Sequence, residues 1–232
     1  MIGILGGMGP LASAEFLKTI YRLNCSGSEQ EAPACVLLSD PSFPDRTGAI
    51  LSGSTEVLAE KLVRSLEELS SRGAERIVIA CVTVHHVLPL VPEHLRRKVV
   101  SLLDLIVDEI VGKRRPHLLL ATTGTRVARI FERHEGWASI APWVRPLAEP
   151  DQAEMHAWIY RLKETESAER CLAWLETLLP RYGIEDLIFG CTELHLLQES
   201  LSRGGGRIQT SRVVDPLLSV ARSFRNLAST AS

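Results

Sequence analysis

The sequence predicts an α/β protein with mostly parallel sheets, folded as two related halves. Three observations lead there: short apolar runs without polar alternation, amphipathic stretches between them, and an internal repeat. The runs are residues 2–5, 35–38, 77–80, 118–121 and 187–190. Runs of this kind are what strands covered on both faces look like, and strands alternating with helices make a parallel sheet. Between them, residues 54–71 place Val57, Leu58, Leu62, Leu66 and Leu69 on one predicted helical face, with Gly73 as terminator. Residues 168–179 repeat the pattern with Leu172, Leu175, Leu178 and Leu179, followed by Gly183. Gly204, Gly205 and Gly206 read as a mobile loop.

Composition narrows the function. The 232 residues are 45% hydrophobic and 23% charged, enough apolar surface for a large core. Lys and Arg number 26 against 28 Asp and Glu, a net charge of −2, which argues against nucleic acid as a partner. No apolar run reaches the roughly 18 residues of a membrane span, and the first residues lack the basic stretch of a signal peptide. Five scattered cysteines read as free thiols in a reducing cytoplasm.

The internal repeat carries the functional argument. Gly73, Glu75, Cys81 and His85 coincide with Gly183, Glu185, Cys191 and His195 at identical offsets, with an apolar run inside each segment. Upstream, Ile4-Leu5-Gly6-Gly7-Met8-Gly9 matches Leu119-Leu120-Ala121-Thr122-Thr123-Gly124, and Phe16 matches Phe131. Ligands of open α/β sheets sit beyond the carboxyl ends of the strands. Cys81 and Cys191 both fall there, so two facing halves would bring them to one cleft. Placement before a helix predicts lowered thiol pKa values. Two opposed thiols suit inversion of a carbon centre, one removing a proton while the other delivers one to the opposite face.

Other readings compete. Cys25, Cys35 and Cys171 are expected to be inert packing thiols. A structural zinc held by Cys81, His85, Cys191 and His195 ranks behind, because zinc frameworks use close Cys-Cys spacing; no metal is expected. His85 and His195 either assist protonation from the cleft or pack behind the cysteines. Gly7-Met8-Gly9-Pro10-Leu11-Ala12 fits a dinucleotide fingerprint, but the acidic residue belongs about 20 residues later, well before Asp40. A non-catalytic binder of small acids or nucleotides is a third possibility. The glycine loop with Pro10, and Thr122-Thr123-Gly124-Thr125, are suited to an anion. Arg46, in a proline-stiffened loop, suits a carboxylate.

With Ile2-Gly3-Ile4-Leu5-Gly6-Gly7-Met8-Gly9-Pro10, Pro44-Asp45-Arg46-Thr47, Cys81-x-Thr83-x-His85, Leu119 to Thr125, Gly190-Cys191-Thr192-Glu193 and Val214-Asp215-Pro216 in order, the chain resembles the aspartate/glutamate racemase family, in the aspartate branch that works without pyridoxal phosphate. The Asp-Ser-Gly opening of glutamate racemases is absent. The resemblance implies two pseudo-symmetric flavodoxin-like α/β/α half-domains, residues 1–111 with 211–232 and residues 112–210, with the active site between them. It implies a cytoplasmic homodimer without cofactor, acting on a small carboxylate or amino acid. Cys81 and Cys191 would be the acid/base pair. Met8, Gly9, Arg46, Val82, Thr83, Thr123, Gly124, Thr125, Lys163 and Thr192 would bind substrate, with His85, Glu193 and His195 in support. Lys163 stands one residue short of the family's usual spacing. Val82 replaces the family's asparagine, and His195 replaces a small or apolar residue. A lost hydrogen bond to a charged group, worth on the order of 1–3 kcal/mol, would be enough to change the substrate. The alternative is an isomerase or decarboxylase of the same superfamily.

Overall fold

The computed structural model describes residues 1–25, 27–164 and 167–229. One sheet holds β1 (Ile2–Gly6), β2 (Cys35–Ser39), β3 (Arg76–Ile79) and β4 (Val99–Val100) in the order β2-β1-β3-β4. The other holds β5 (His117–Leu120), β6 (Val144–Pro146), β7 (Asp186–Phe189) and β8 (Val213–Val214) in the order β6-β5-β7-β8. All pairings are parallel. The helices are α1 (Pro10–Asn24), α2 (Arg46–Ser52), α3 (Glu56–Ser71), α4 (Glu93–Arg96), α5 (Leu102–Lys113), α6 (Thr123–Val127), α7 (Trp137–Ile140), α8 (Asp151–Lys163), α9 (Ala168–Tyr182), α10 (Gln198–Arg203) and α11 (Pro216–Ser229). Among the described residues, no helix is long and apolar enough to cross a membrane.

The two sheets have the same order, so the sequence repeat is a structural repeat. β4, β6 and β8 have two or three residues each and are too short to stand out as apolar runs. In α3, Leu58, Leu62, Leu66 and Leu69 are buried as expected, but Val57 is 63% exposed. One step along a helix is about 100°, which puts Val57 with Lys61 and Arg64 on the outer face. α9 runs past Leu179 through Pro180 and stops at Gly183, whose φ is +62°. Cys171 is buried, whereas Cys25 is exposed just after α1 and Cys35 is half-buried beside Tyr21. Those two are therefore not core thiols, because they lie at a helix end and on an edge strand.

This strand order creates the crevice. From β1 the chain goes to one neighbour, β2, and returns to the other, β3, so the loops after β1 and β3 leave the sheet on opposite faces. β5 and β7 repeat the arrangement. Gly7, with φ +89°, lets the loop after β1 turn against β2; a Cβ there would lie 2.3 Å from the Asp40 backbone. Asp40 itself pairs with Lys61 at 2.9 Å and accepts from Ser42.

Ile4, Phe16, Val78, Leu119, Ile188 and Phe224 belong to one apolar cluster that draws on both sheets. Each such fully buried side chain stabilises by roughly 1.5–3 kcal/mol. β8 pairs with β7 in the second sheet, so a boundary at residue 211 falls before that half is complete. Only then does α11 return to pack against α1 and α5, with Asn24 Nδ2 donating to Ala221 O at 2.8 Å. Across the cleft, α6 approaches α2 so closely that a Cβ on Gly124 would sit 2.9 Å from Thr47 Cα. Gly124→Ala is expected to cost about 1–3 kcal/mol, read by urea denaturation; an unchanged midpoint would show that α2 yields freely.

Candidate active site

Met8, Asp45, Arg46, Thr47, Cys81, Thr83, Thr122, Tyr160, Lys163, Cys191 and Glu193 line one cavity where the strand-end loops of both halves meet. Its volume is about 10 Å³, room for about one water molecule. Each cysteine lies two residues beyond its strand, and each is almost entirely buried, 5% exposed for Cys81 and 4% for Cys191. The segments that follow are 3-10 helices, Thr83–Leu90 and Thr192–Leu197.

Thiol acidity differs from the sequence expectation. Backbone N–H groups do meet the sulfurs, from Val84 at Cys81 and from Glu193 at Cys191, and these favour the thiolate. Burial outweighs them and raises both pKa values, Cys191 well above the ordinary thiol range. The Arg46 guanidinium opposes the rise at Cys81, and the Glu193 carboxylate adds to it at both sites. Cys191 Sγ donates to Glu193 Oε2 at 2.7 Å, while Lys163 Nζ lies 3.8 Å from Oε1 of the same carboxylate. Glu193→Gln removes the charge that disfavours both thiolates. The pH at which the thiols become alkylated by iodoacetamide is therefore expected to fall; an unchanged or raised value would contradict this electrostatic assignment.

Arg46 is only 8% exposed. It donates to Pro44 O at 3.1 Å and to Met8 O, tying the loop after β2 to the loop after β1. Asp45 caps α2, accepting from Gly48 N–H at 2.7 Å, and takes a 2.6 Å hydrogen bond from Tyr160 Oη. Burial works to raise the Asp45 pKa, but those bonds hold it below its ordinary value. Burial and the Asp45 bond raise that of Tyr160. Lys163 Nζ rests 4.1 Å above the Tyr160 ring centroid. Thr83 Oγ1 lies 3.3 Å from Thr122 Oγ1 and 2.9 Å from Thr125 Oγ1, a hydroxyl cluster joining the halves.

The structure therefore gathers Met8, Arg46, Cys81, Thr83, Lys163, Cys191 and Glu193 around one cavity. The other predicted residues stand behind it. Gly9 gives the Glu193 carboxylate its room, since a Cβ there would lie 2.4 Å from Oε1. Gly124 packs on Thr47, Thr125 donates its N–H to Thr122, Thr123 N–H donates to His156 Nδ1, and Thr192 Oγ1 donates to Ala80 O. The Val82 side chain belongs to the apolar core. His85 Nδ1 meets the Cys81 carbonyl at 2.9 Å, on the side away from the cavity. His195 Nδ1 lies 2.6 Å from Asp215 Oδ2 and Nε2 lies 3.2 Å from Thr19 Oγ1, fully buried. Asp45, Thr47 and Tyr160 receive no role from the sequence, although Asp45 and Thr47 stand inside a motif that marks the family resemblance; Thr122 enters there only as part of the anion-suited loop.

The Asp/Glu/hydantoin racemase family profile matches residues 5–223. The chain belongs to that family. It is a racemase, and so an isomerase. A Picrophilus torridus aspartate racemase superposes with a TM-score of 0.79 at 22% identity, over 99% of this chain and 93% of that one. An aspartate racemase homologue from Pyrococcus horikoshii gives 0.67 at 22%, over 99% and 98%. A glutamate racemase from Francisella tularensis, in complex with D-glutamate, gives 0.58 at 16%, over 99% and 80%. These likenesses show the fold, two four-stranded parallel sheets with flanking helices.

Proposed function

We propose that this racemase inverts a small acidic amino acid, with aspartate the leading substrate, using Cys81 and Cys191 as opposed acid and base. The observation that carries the reading is that both thiols, one from each half of the repeat, line one cavity together with two cations. In the reaction, one cysteine as thiolate takes the α-proton and becomes a thiol. The other, as thiol, gives its proton to the opposite face of the carbanion and becomes a thiolate. The two exchange roles at each inversion, which requires no redox change.

Arg46 and Lys163 offer two positive charges to two carboxylates, which favours a dicarboxylic substrate over a monocarboxylic one. The Thr83 and Thr122 hydroxyls, which line the cavity, offer hydrogen bonds to one of those carboxylates. Position 82 contributes no polar side chain to the cavity, so these cations carry the recognition. A cavity of about 10 Å³ is far smaller than an amino acid. Substrate entry therefore requires Lys163 to leave Glu193 and the two halves to part, a gating step. Two lobes that part at the cleft, one completed by α11, and assembly as a homodimer belong to the same reading; sedimentation equilibrium tests the latter.

The test is conversion of L-aspartate in deuterium oxide, beside a panel of other amino acids. D-aspartate formed with deuterium at the α-carbon is expected. Product without deuterium, or turnover confined to amino acids lacking a second carboxylate, would overturn the reading.

A further inference from the structure

Thr192 follows Cys191 directly and opens the 3-10 helix Thr192–Leu197. Its hydroxyl donates to the Ala80 carbonyl at 3.0 Å, and Ala80 directly precedes Cys81. The bond therefore joins the chain neighbours of the two thiols across 112 positions of sequence. Both partners are buried, Thr192 at 2% exposure and Ala80 at 0%, where a hydrogen bond is stronger than in water.

Each end of this link is held. Ala80 N–H donates to Leu5 O at 2.8 Å, and Cys81 N–H to Ile79 O at 2.7 Å, which fixes the receiving carbonyl to the first sheet. The far end of the 3-10 helix is anchored by His195, which faces Asp215 and Thr19. The near end, beside Cys191, meets the first sheet through Thr192. In the repeat, Val82 stands at the offset of Thr192, and its side chain lies in the core. The link thus runs in one direction. Thr83 also crosses between the halves, to Thr122 and Thr125, but it lines the cavity.

The same bond argues against Thr192 as a carboxylate ligand, the role implied by the family resemblance. A hydroxyl carries one hydrogen and an ionised carboxylate only accepts, so the hydrogen given to Ala80 is not offered to substrate. Among the described residues that line the cavity, Thr192 is not present. We propose that Thr192 is a positioning residue, whose hydroxyl holds Cys191 opposite Cys81 by gripping the Ala80 carbonyl. The proposal rests on the two-thiol reading above. Two sulfurs serving opposite faces of one carbon need a fixed separation, and misplacement by about 1 Å costs on the order of 100-fold in rate.

The test compares Thr192→Val, which keeps the shape and loses the hydroxyl, with Thr192→Ser, which keeps the hydroxyl. Thr192→Ala replaces the valine variant should circular dichroism show that one unfolded. Each is assayed on aspartate, or on whichever amino acid the panel shows to be turned over. Thr192→Val is expected to lower kcat roughly 10- to 100-fold, with KM changed by less than about twofold. Thr192→Ser is expected to restore most of kcat. A second readout reports alignment. In deuterium oxide the wild-type carbanion is captured by the opposite thiol, so unreacted substrate keeps its α-hydrogen. A displaced thiol prolongs the carbanion, and the first thiol exchanges its hydrogen with solvent before returning it to the original face. Deuterium in unreacted substrate, relative to product, is therefore expected to rise in Thr192→Val and not in Thr192→Ser. Unchanged kcat, a raised KM with kcat retained, equal losses in both variants, or no gain of deuterium in unreacted substrate would overturn the proposal. These are comparisons between variants on one substrate, so failure of aspartate as that substrate leaves them standing. Full turnover in Cys81→Ala would instead overturn the two-thiol reading beneath it.

Discussion

Replacement of Cys81 by alanine is expected to lower racemisation by roughly 100- to 10,000-fold, and replacement of Cys191 to do the same. In the two-thiol scheme each sulfur serves one face of the α-carbon, so neither compensates for the other. Both are buried beside Glu193 and within one cavity, which makes the loss chemical and not a matter of access. Alanine removes one heavy atom from a tightly enclosed position, and unchanged circular dichroism should confirm retained folding. The measurement is loss of optical rotation from each enantiomer of aspartate, with deuterium incorporation followed by NMR. Undiminished turnover in either variant would refute the paired-base mechanism. The pH profile offers an independent reading. Burial raises both thiol pKa values, so the acid limb of kcat/KM is expected above the ordinary thiol range. Arg46→Ala should move it higher, because the guanidinium opposes the rise at Cys81.

The second large effect concerns stability. Asp215→Ala is expected to cost at least about 1–3 kcal/mol, the usual consequence of leaving buried donors without their acceptor. Asp215 Oδ2 faces His195 Nδ1 at 2.6 Å and accepts from Gln198 Nε2 at 2.8 Å, while Oδ1 accepts from Leu217 N–H at 3.0 Å and Leu218 N–H at 3.3 Å. One carboxylate thus starts α11 and anchors the 3-10 helix that carries Glu193. Burial acts to raise its pKa, but His195, Gln198 and the Leu218 N–H hold it below its ordinary value. A depressed carboxylate stabilises above its unfolded pKa of about 3.9 and loses that contribution as pH falls through the lower folded value. Urea denaturation of Asp215→Ala and Asp215→Asn at neutral pH provides the check. The asparagine variant keeps an acceptor for the helix N–H groups and should lose less. A loss below about 1 kcal/mol for alanine would show that the donors around Asp215 find other partners once the carboxylate is gone.

The sequence alone determined the strand-helix alternation, the pairing of Cys81 with Cys191 and the family. All three rest on local chemistry: apolar runs, terminators such as Gly183, and motifs a few residues long. It also placed both thiols at strand ends, because topology makes strand ends the crevice. The tertiary structure decided what depends on enclosure and on distant neighbours. Thiol acidity reversed because desolvation is a property of the surrounding volume, which a helix-start motif does not encode. Val82 went to the core and His195 to Asp215 because neighbouring positions on a tight 3-10 turn face different ways. Tyr160 reached Asp45 across 115 positions of chain. Such partners are set by how the two sheets meet, and no spacing within either segment records that distance.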